Sequence, residues 1–431
     1  MGNYSHPKCY RFCKIIHEEC TNMCNDANIM WPCVKCSQIF PEFPLMGHIF
    51  NDLESSIKNR IAPRNITIER HVNGYVTYQL LAITDMDREA KVNSKNWTWR
   101  AVTRRGRLTL SADKKNVSVE WMKDSDKNIT SGFNYKGRGM ELSDLSEYNG
   151  HLLAPDDKTG MLYEIKGDQL LTDARRIPPK RVVDTAEDSA KPIHLFVFEI
   201  RIIQIFAENL PTTSVGISAS KAIPWVFLNS GPGNTTDGMK VEWLTIKDNK
   251  LYAGGHGCEY RNQSGHIVSE DPMWIKVITK SGQVRSKNWR SVYSRMRRAA
   301  GYRAPGYLTH EAVQWSSIQE MWYFLPRKAS HTAYNETEDE TKGTNLLILA
   351  NSDLRDFYVV RIRQQKHPER GFSAFDFIPN TRDKLMVALK TEERQGKPTK
   401  SYFTVFSLNG TVLLPDQELD DGYKFEGIYF V

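Results

Sequence analysis

Long apolar runs are missing from this 431-residue chain. The strongest, His194 to Ala207, is interrupted by Glu199, Arg201 and Gln204, far short of the roughly 18 unbroken apolar residues a membrane helix needs, so no segment is expected to span a membrane. No apolar stretch follows Met1, so the start does not read as a secretory signal, and His6 occupies the position where myristoylation requires Ser or Thr. A Gly-x-x-x-x-Gly-Lys-Ser/Thr phosphate loop is absent, which excludes a P-loop hydrolase. His310-Glu311 lacks a second histidine four residues on, which excludes that zinc-peptidase motif. Cysteine is scarce beyond the first 36 residues: Cys9, Cys13, Cys20, Cys24, Cys33 and Cys36 cluster there, and Cys258 stands alone. Such a tight, even cluster fits a disulfide knot in an exported chain or a zinc site in the cytosol.

What is present describes a folded globular protein, 40% hydrophobic and 25% charged, and long enough for a large core or two domains. Aromatics are plentiful, and β-branched runs such as Ile275-Lys276-Val277-Ile278-Thr279 recur, which predicts a mainly β chain. The net charge of +7 is dispersed among acidic residues. Its densest patch, Arg295-Met296-Arg297-Arg298, has no interleaved aromatics and reads as a solvated face; no nucleic-acid partner is expected. Asn-X-Ser/Thr acceptors begin at Asn3, Asn65, Asn96, Asn116, Asn128, Asn234, Asn262, Asn335 and Asn409. Their number favours the secretory-pathway lumen or the cell exterior, and with it the disulfide reading.

Four pieces follow from texture. Residues 1–55 form a Cys-rich N-terminal appendage, and 56–431 a β domain interrupted by an irregular insertion at 168–220. The first strand is expected at Gly74–Ile83, and a hairpin joins Arg107–Leu110 to Val117–Trp121. One helix is expected from Trp289 to Ala300, where Val292, Met296 and Ala299 or Ala300 recur at helical spacing.

Within the β domain one pattern repeats. An oxygen-bearing residue precedes a turn, and an apolar strand follows about ten residues later: Glu141-Leu142-Ser143-Asp144, Glu242-Trp243, Glu311-Ala312, and Phe372-Ser373-Ala374, with Phe425-Glu426-Gly427 closing the chain. Radial repeats bring residues distant in sequence to one axis, and converging carboxylates and hydroxyls suit a hard cation such as calcium. The competing reading is unrelated strand starts with ordinary polar residues.

The order of these segments resembles the calcium-activated nucleotidase, or apyrase, family of soluble secretory-pathway and salivary enzymes. The residues that carry it are KGRGMELSDL (Lys136–Leu145), DDKTGMLYEI (Asp156–Ile165), KVEWLTIKDNKLYAGG (Lys240–Gly255) and PGYLTHEAVQWS (Pro305–Ser316), followed by WYFLPRKAS (Trp322–Ser330), KGTNLLILA (Lys342–Ala350), GFSAFDFIPN (Gly371–Asn380) and YKFEGIYF (Tyr423–Phe430). The resemblance implies a five-bladed β-propeller with a central calcium, held by Ser143, Glu242, Glu311, Ser373 and Glu426. It implies calcium-dependent hydrolysis of nucleoside diphosphates, UDP and GDP ahead of ADP and triphosphates. Asp85 and Asp87 would be the catalytic pair, and Arg327 and Arg138 would bind substrate; a weak homodimer is a further expectation.

The residue types suit that chemistry, because phosphoryl transfer is catalysed chiefly by positioning and charge neutralisation. An arginine fork grips phosphate better than a lysine does. Each residue also has a plainer role open to it. Asp85 and Asp87 could cap a turn, and Arg138, between two glycines, could serve one. Glu242 and Glu311 could be surface carboxylates beside Trp243 and Trp315, and His310 reads as structural. Two other activities remain: a propeller glycosidase built on paired carboxylates, and a non-catalytic propeller that binds nucleotide or protein.

Overall fold

Tight turns that need left-handed backbone set the strand boundaries. Asn149-Gly150 (φ 54° and 81°) and Asp248-Asn249 (φ 52° and 56°) are two-residue hairpin turns of the kind whose twist matches the flanking strands. They join Ser146–Tyr148 to His151–Pro155 and Trp243–Lys247 to Lys250–Gly254. The computed structural model describes residues 64, 66–92, 97–166, 221–262, 266–363, 367–419 and 422–431. The Cys-rich segment 1–55 and the insertion 168–220 lie outside the described residues.

Among the described residues the fold is nearly all β, organised as a curled succession of antiparallel sheets. The strands Trp243–Lys247, Lys250–Gly254, Trp274–Ile278 and Val284–Asn288 form one sheet of four. A second contains Tyr307–Ser316, Met321–Ser330, Leu346–Asn351 and Phe357–Arg361. A third contains Arg370–Phe377, Leu385–Glu392, Lys400–Ser407 and Val412–Glu418. The remaining large sheet is a nine-stranded path whose two halves touch through one parallel pair, Thr130↔Lys221. In its first half Val76–Asp85 pairs with Trp99–Leu110, which in turn pairs with Val117–Ser131, and the short strand Ile68–Arg70 and the C-terminal strand Lys424–Phe430 lie against the other side of Val76–Asp85. The hairpin meets at Leu110↔Val117, as the sequence predicts.

The core is distributed between sheets. In one cluster Leu80, Leu108 and Phe430 meet Val387, Leu389 and Phe403 of the Arg370–Glu418 sheet; in another Trp243 and Ile275 meet Trp322, Phe324 and Ile348. The helix Arg290–Ala299 covers the latter cluster through Val292, Tyr293 and Met296, the face expected from its spacing. Arg297 of the basic patch is committed to Glu259 at 3.0 Å, and His310 stacks on Tyr293 at 5.4 Å, so both are structural. No helix among the described residues is long and apolar enough to cross a membrane.

Candidate active site

Three of the five repeat residues sit on β-bulges. In Tyr307–Ser316 the register passes from His310↔Pro326 to Ala312↔Leu325 and leaves Glu311 unopposed. In Arg370–Phe377 it passes from Phe372↔Lys390 to Ala374↔Leu389 and skips Ser373. In Lys424–Phe430 it passes from Phe425↔Thr84 to Gly427↔Ile83 and skips Glu426. A bulge takes one residue out of the ladder and re-aims it, a device common beside functional sites. Glu242 and Ser143 lie just ahead of their strands, with Glu242 N–H donating to the Gly254 carbonyl at 2.8 Å and Ser143 N–H to that of Pro155 at 3.1 Å.

Around these positions runs a closed circuit of opposite charges. Arg138 pairs with Glu141 and, at 2.9 Å, with Asp87. Lys424 reaches Asp85 at 2.7 Å, Asp87 at 3.4 Å, and Glu393 and Glu426 at 3.3 Å each. Arg327 holds Glu426 at 2.9 Å together with Glu311 and Glu393. His256 Nε2 lies 2.9 Å from both Glu311 and Glu242. Lys240 joins Glu242 to Asp157, the latter at 2.7 Å, and Lys158 returns from Asp157 at 3.3 Å to Glu141 at 3.7 Å.

Of the residues singled out in the sequence, Asp85, Asp87, Arg138, Glu242, Glu311, Arg327 and Glu426 all enter this circuit. Asp85 plays both roles open to it, since Oδ1 accepts from Asp87 N–H at 2.8 Å as a turn cap while Oδ2 takes Lys424. Arg138 likewise closes a turn, its backbone exchanging hydrogen bonds with Tyr135, while its guanidinium pairs. Ser143 and Ser373 do not join the circuit. Their hydroxyls donate to the carbonyls of Val241 (2.5 Å) and Phe425 (3.2 Å), the residues just before Glu242 and Glu426. The two serines therefore fix the backbone that presents the glutamates. Lys158, Lys240, His256 and Lys424, with Asp157, complete the circuit unremarked by the sequence reading, although each lies in or beside a repeated segment; Glu393 carries no such signal.

The sequence profile of the apyrase family matches residues 86–191 and 207–431. The chain belongs to the apyrase family. Apyrase apy-1 of Caenorhabditis elegans is 39% identical over 84% of this chain and 87% of that protein. Soluble calcium-activated nucleotidase 1 of Rattus norvegicus is 39% identical over 83% of this chain and 75% of its own length. The apyrase of Cimex lectularius is 32% identical over 90% of each.

The electrostatics of this apyrase-family site divide its carboxylates. Burial pushes Asp85 up to about 6, with Asp157 and Asp87 adding to it, and Glu141 up to about 7, with Asp85 and Asp157 adding to it. Glu426 is also raised, chiefly by burial, against the pull of Lys424 and Arg327. Burial acts the same way on Glu242, but His256 and Lys240 overcome it and hold Glu242 well below the usual range. Desolvation alone would depress His256; Glu242 reverses this and lifts it to about 9, so the imidazole is charged at neutral pH. Eight carboxylates (Asp85, Asp87, Glu141, Asp157, Glu242, Glu311, Glu393, Glu426) thus face five lysine or arginine cations and one imidazolium.

That surplus of carboxylates over cationic side chains, six of the eight carboxylates being buried and Asp87 and Glu393 part-exposed, fits a hard cation. Ligand atoms of Glu242, His256 and Glu311 lie within 4.8 Å of one another. Glu242, Glu311 and Glu426 are all buried, and a serine hydroxyl that donates its proton keeps oxygen lone pairs, so Ser143 and Ser373 are compatible with ligation.

Proposed function

We propose that this chain hydrolyses nucleoside diphosphates, UDP and GDP ahead of ADP and triphosphates, to monophosphate and inorganic phosphate in a calcium-dependent reaction. The observation that carries the reading is the convergence of Glu242, Glu311 and Glu426, from three separated segments, on Arg327, Lys240, His256 and Lys424. Family membership and the named relatives support it.

Calcium, when bound by Ser143, Glu242, Glu311, Ser373 and Glu426, supplies charge neutralisation and a template for phosphate oxygens. Arg327 and Arg138 receive phosphate oxygens, exchanging part of their pairing with carboxylates for the substrate's negative charge. Asp85, poised near neutrality and anchored by Lys424, takes a proton from the attacking water, with Asp87 orienting it. The P–O bond to the nucleoside monophosphate breaks as the water oxygen joins phosphorus.

We read the architecture as a five-bladed propeller. The single parallel pair divides the nine-stranded sheet into a group of five strands and a group of four, which we read as two blades, with the C-terminal strand as the innermost of the first. The chain is proposed to work in the secretory-pathway lumen or outside the cell. The glycosylation acceptors Asn116, Asn128, Asn234, Asn262 and Asn335 are exposed, in keeping with that location.

Phosphate release from UDP, GDP and ADP, measured with calcium, with magnesium and with chelator, beside a Glu242→Ala variant, tests the reading. Release that requires calcium and falls by about a hundredfold or more in the variant is expected, on the scale of losing a charge-stabilising group. Release indifferent to calcium would overturn the calcium requirement, and none from folded protein would overturn the reading in favour of a glycosidase or a binding propeller.

A further inference from the structure

We propose that Asp85, Glu141 and Asp157 form a second site for a hard divalent cation, with a ligand set separate from Glu242, Glu311 and Glu426. One carboxylate oxygen from each of the three lies within 4.8 Å of the others. Three atoms no more than 4.8 Å apart all lie within about 2.8 Å of a common point, close to the 2.3–2.6 Å of calcium–oxygen ligation, so a small adjustment lets a single cation reach all three. The set is oxygen-only, which selects calcium or a similar hard ion over zinc or copper.

All three side chains are buried, Asp85 at 2%, Glu141 at 0% and Asp157 at 6% exposure. The decisive feature is Asp157. Its Oδ2 is committed to Lys240 and Lys158, whereas its Oδ1 is buried with no hydrogen-bond partner. A buried carboxylate oxygen without a partner costs on the order of 1–3 kcal/mol, more when charged, and a cation at the triad removes that cost. The other two carboxylates already have partners: Lys424 on Asp85, and Arg138 and Lys158 on Glu141. These cations would be displaced or shared when the ion enters, and the surplus of carboxylates in the circuit leaves room for that.

The backbone has built the site in advance. Asp85 and Glu141 face each other across an isolated antiparallel bridge, and Asp157 N–H donates to the Glu141 carbonyl at 3.0 Å. Between them the buried Asp156 carboxylate accepts from Met140 N–H at 2.8 Å and Lys158 N–H at 3.0 Å, which locks the two segments that carry Glu141 and Asp157. Asp156 is thus a positioning residue for the triad. A cation here would take as a ligand Asp85, the residue assigned to the attacking water; that consequence rests on the nucleotidase reading, while the binding site does not.

Calcium stoichiometry decides the matter, measured by equilibrium dialysis on chelator-stripped full-length chain without nucleotide. Two calcium ions per chain are expected in the wild type. Asp157→Asn and, independently, Glu141→Gln should each weaken one class by about tenfold or more while the other persists. Glu242→Gln should weaken the opposite class, and melting in chelator identifies any variant that fails to fold. One calcium per chain in the wild type would overturn the proposal, as would two classes untouched by either triad variant in folded protein. An active enzyme with a single calcium would sink the second site alone; two calcium ions without phosphate release would sink the nucleotidase reading alone.

Discussion

Arg327→Met offers the most direct probe of the charge circuit. The guanidinium is 7% exposed and grips three carboxylates at once, two of them, Glu311 and Glu426, themselves buried. Methionine keeps most of the aliphatic volume but leaves those two glutamates without their shared cation. Breaking a buried pair by removing one partner costs about 3–5 kcal/mol, because an uncompensated charge stays behind. Glu393 is 39% exposed and adds little, since water screens it. At roughly 2 °C per kcal/mol for a domain of this size, melting in chelator should fall by about 6–10 °C. Glu311 then keeps only His256 and Glu426 only Lys424, so adding calcium should raise the variant's melting temperature more than the wild type's. Arg327→Lys should fall between them, because an ammonium restores charge but not the fork. A loss below about 1 kcal/mol, or equal calcium shifts in wild type and variant, would refute the view that these carboxylates are held together by Arg327 and await a cation.

Two further outcomes follow from the same structure. His256, lifted to about 9, stabilises the fold fully below its ordinary value of 6.5 and loses that contribution as pH rises through about 9. The melting-temperature gap between wild type and His256→Gln in chelator should therefore be wide at pH 6 and close by about pH 9.5, and a gap constant over that range would refute the assignment. Gly254→Ala would place a Cβ 2.0 Å from Trp243 Cζ2, in contact with a fully buried ring, and overpacking of this kind costs about 1–3 kcal/mol. Urea unfolding measures it, and wild-type stability in that variant would show that the Trp243 pocket can relax.

Much of this was legible because it is local. The helix expected at Trp289–Ala300 is found at Arg290–Ala299, and the strand expected at Gly74–Ile83 runs Val76–Asp85, though the short strand Ile68–Arg70 precedes it. Hydrophobic spacing and turn residues dictate both. The repeat also led to Glu242, Glu311 and Glu426, which meet in the circuit. What spacing could not reveal is that Glu311, Ser373 and Glu426 are bulged, since a bulge exists only relative to the partner strand. Strand periodicity put Glu141 and Ser143 on one face and could not separate them. The structure does: Met140 adopts φ 58°, Glu141 pairs with Arg138, and Ser143 turns to the Val241 carbonyl. Asp157, Lys240, His256 and Lys424 were hidden for a related reason. Each acts through a residue distant in the chain, and nothing along the chain announces that partner.

The final strand explains why the site depends on the whole domain. Lys424–Phe430 pairs with Val76–Asp85 across more than three hundred residues, and the bulge at Glu426 falls opposite Ile83 and Thr84, next to Asp85. One pairing thus delivers Lys424, Glu426 and Asp85 to the same place. Such non-local contacts repay the entropy of chain closure only after the intervening sheets have formed. Glu242, Glu311 and His256 can approach each other within neighbouring sheets, but the circuit closes only when the C-terminal strand is seated. Lys424 bonds Asp85, Glu393 and Glu426 together, so the charge that secures this strand also completes the site. Fraying the strand would strip Glu426, a proposed metal ligand, and the anchor of Asp85 in a single step, tying the proposed chemistry to closure of the fold.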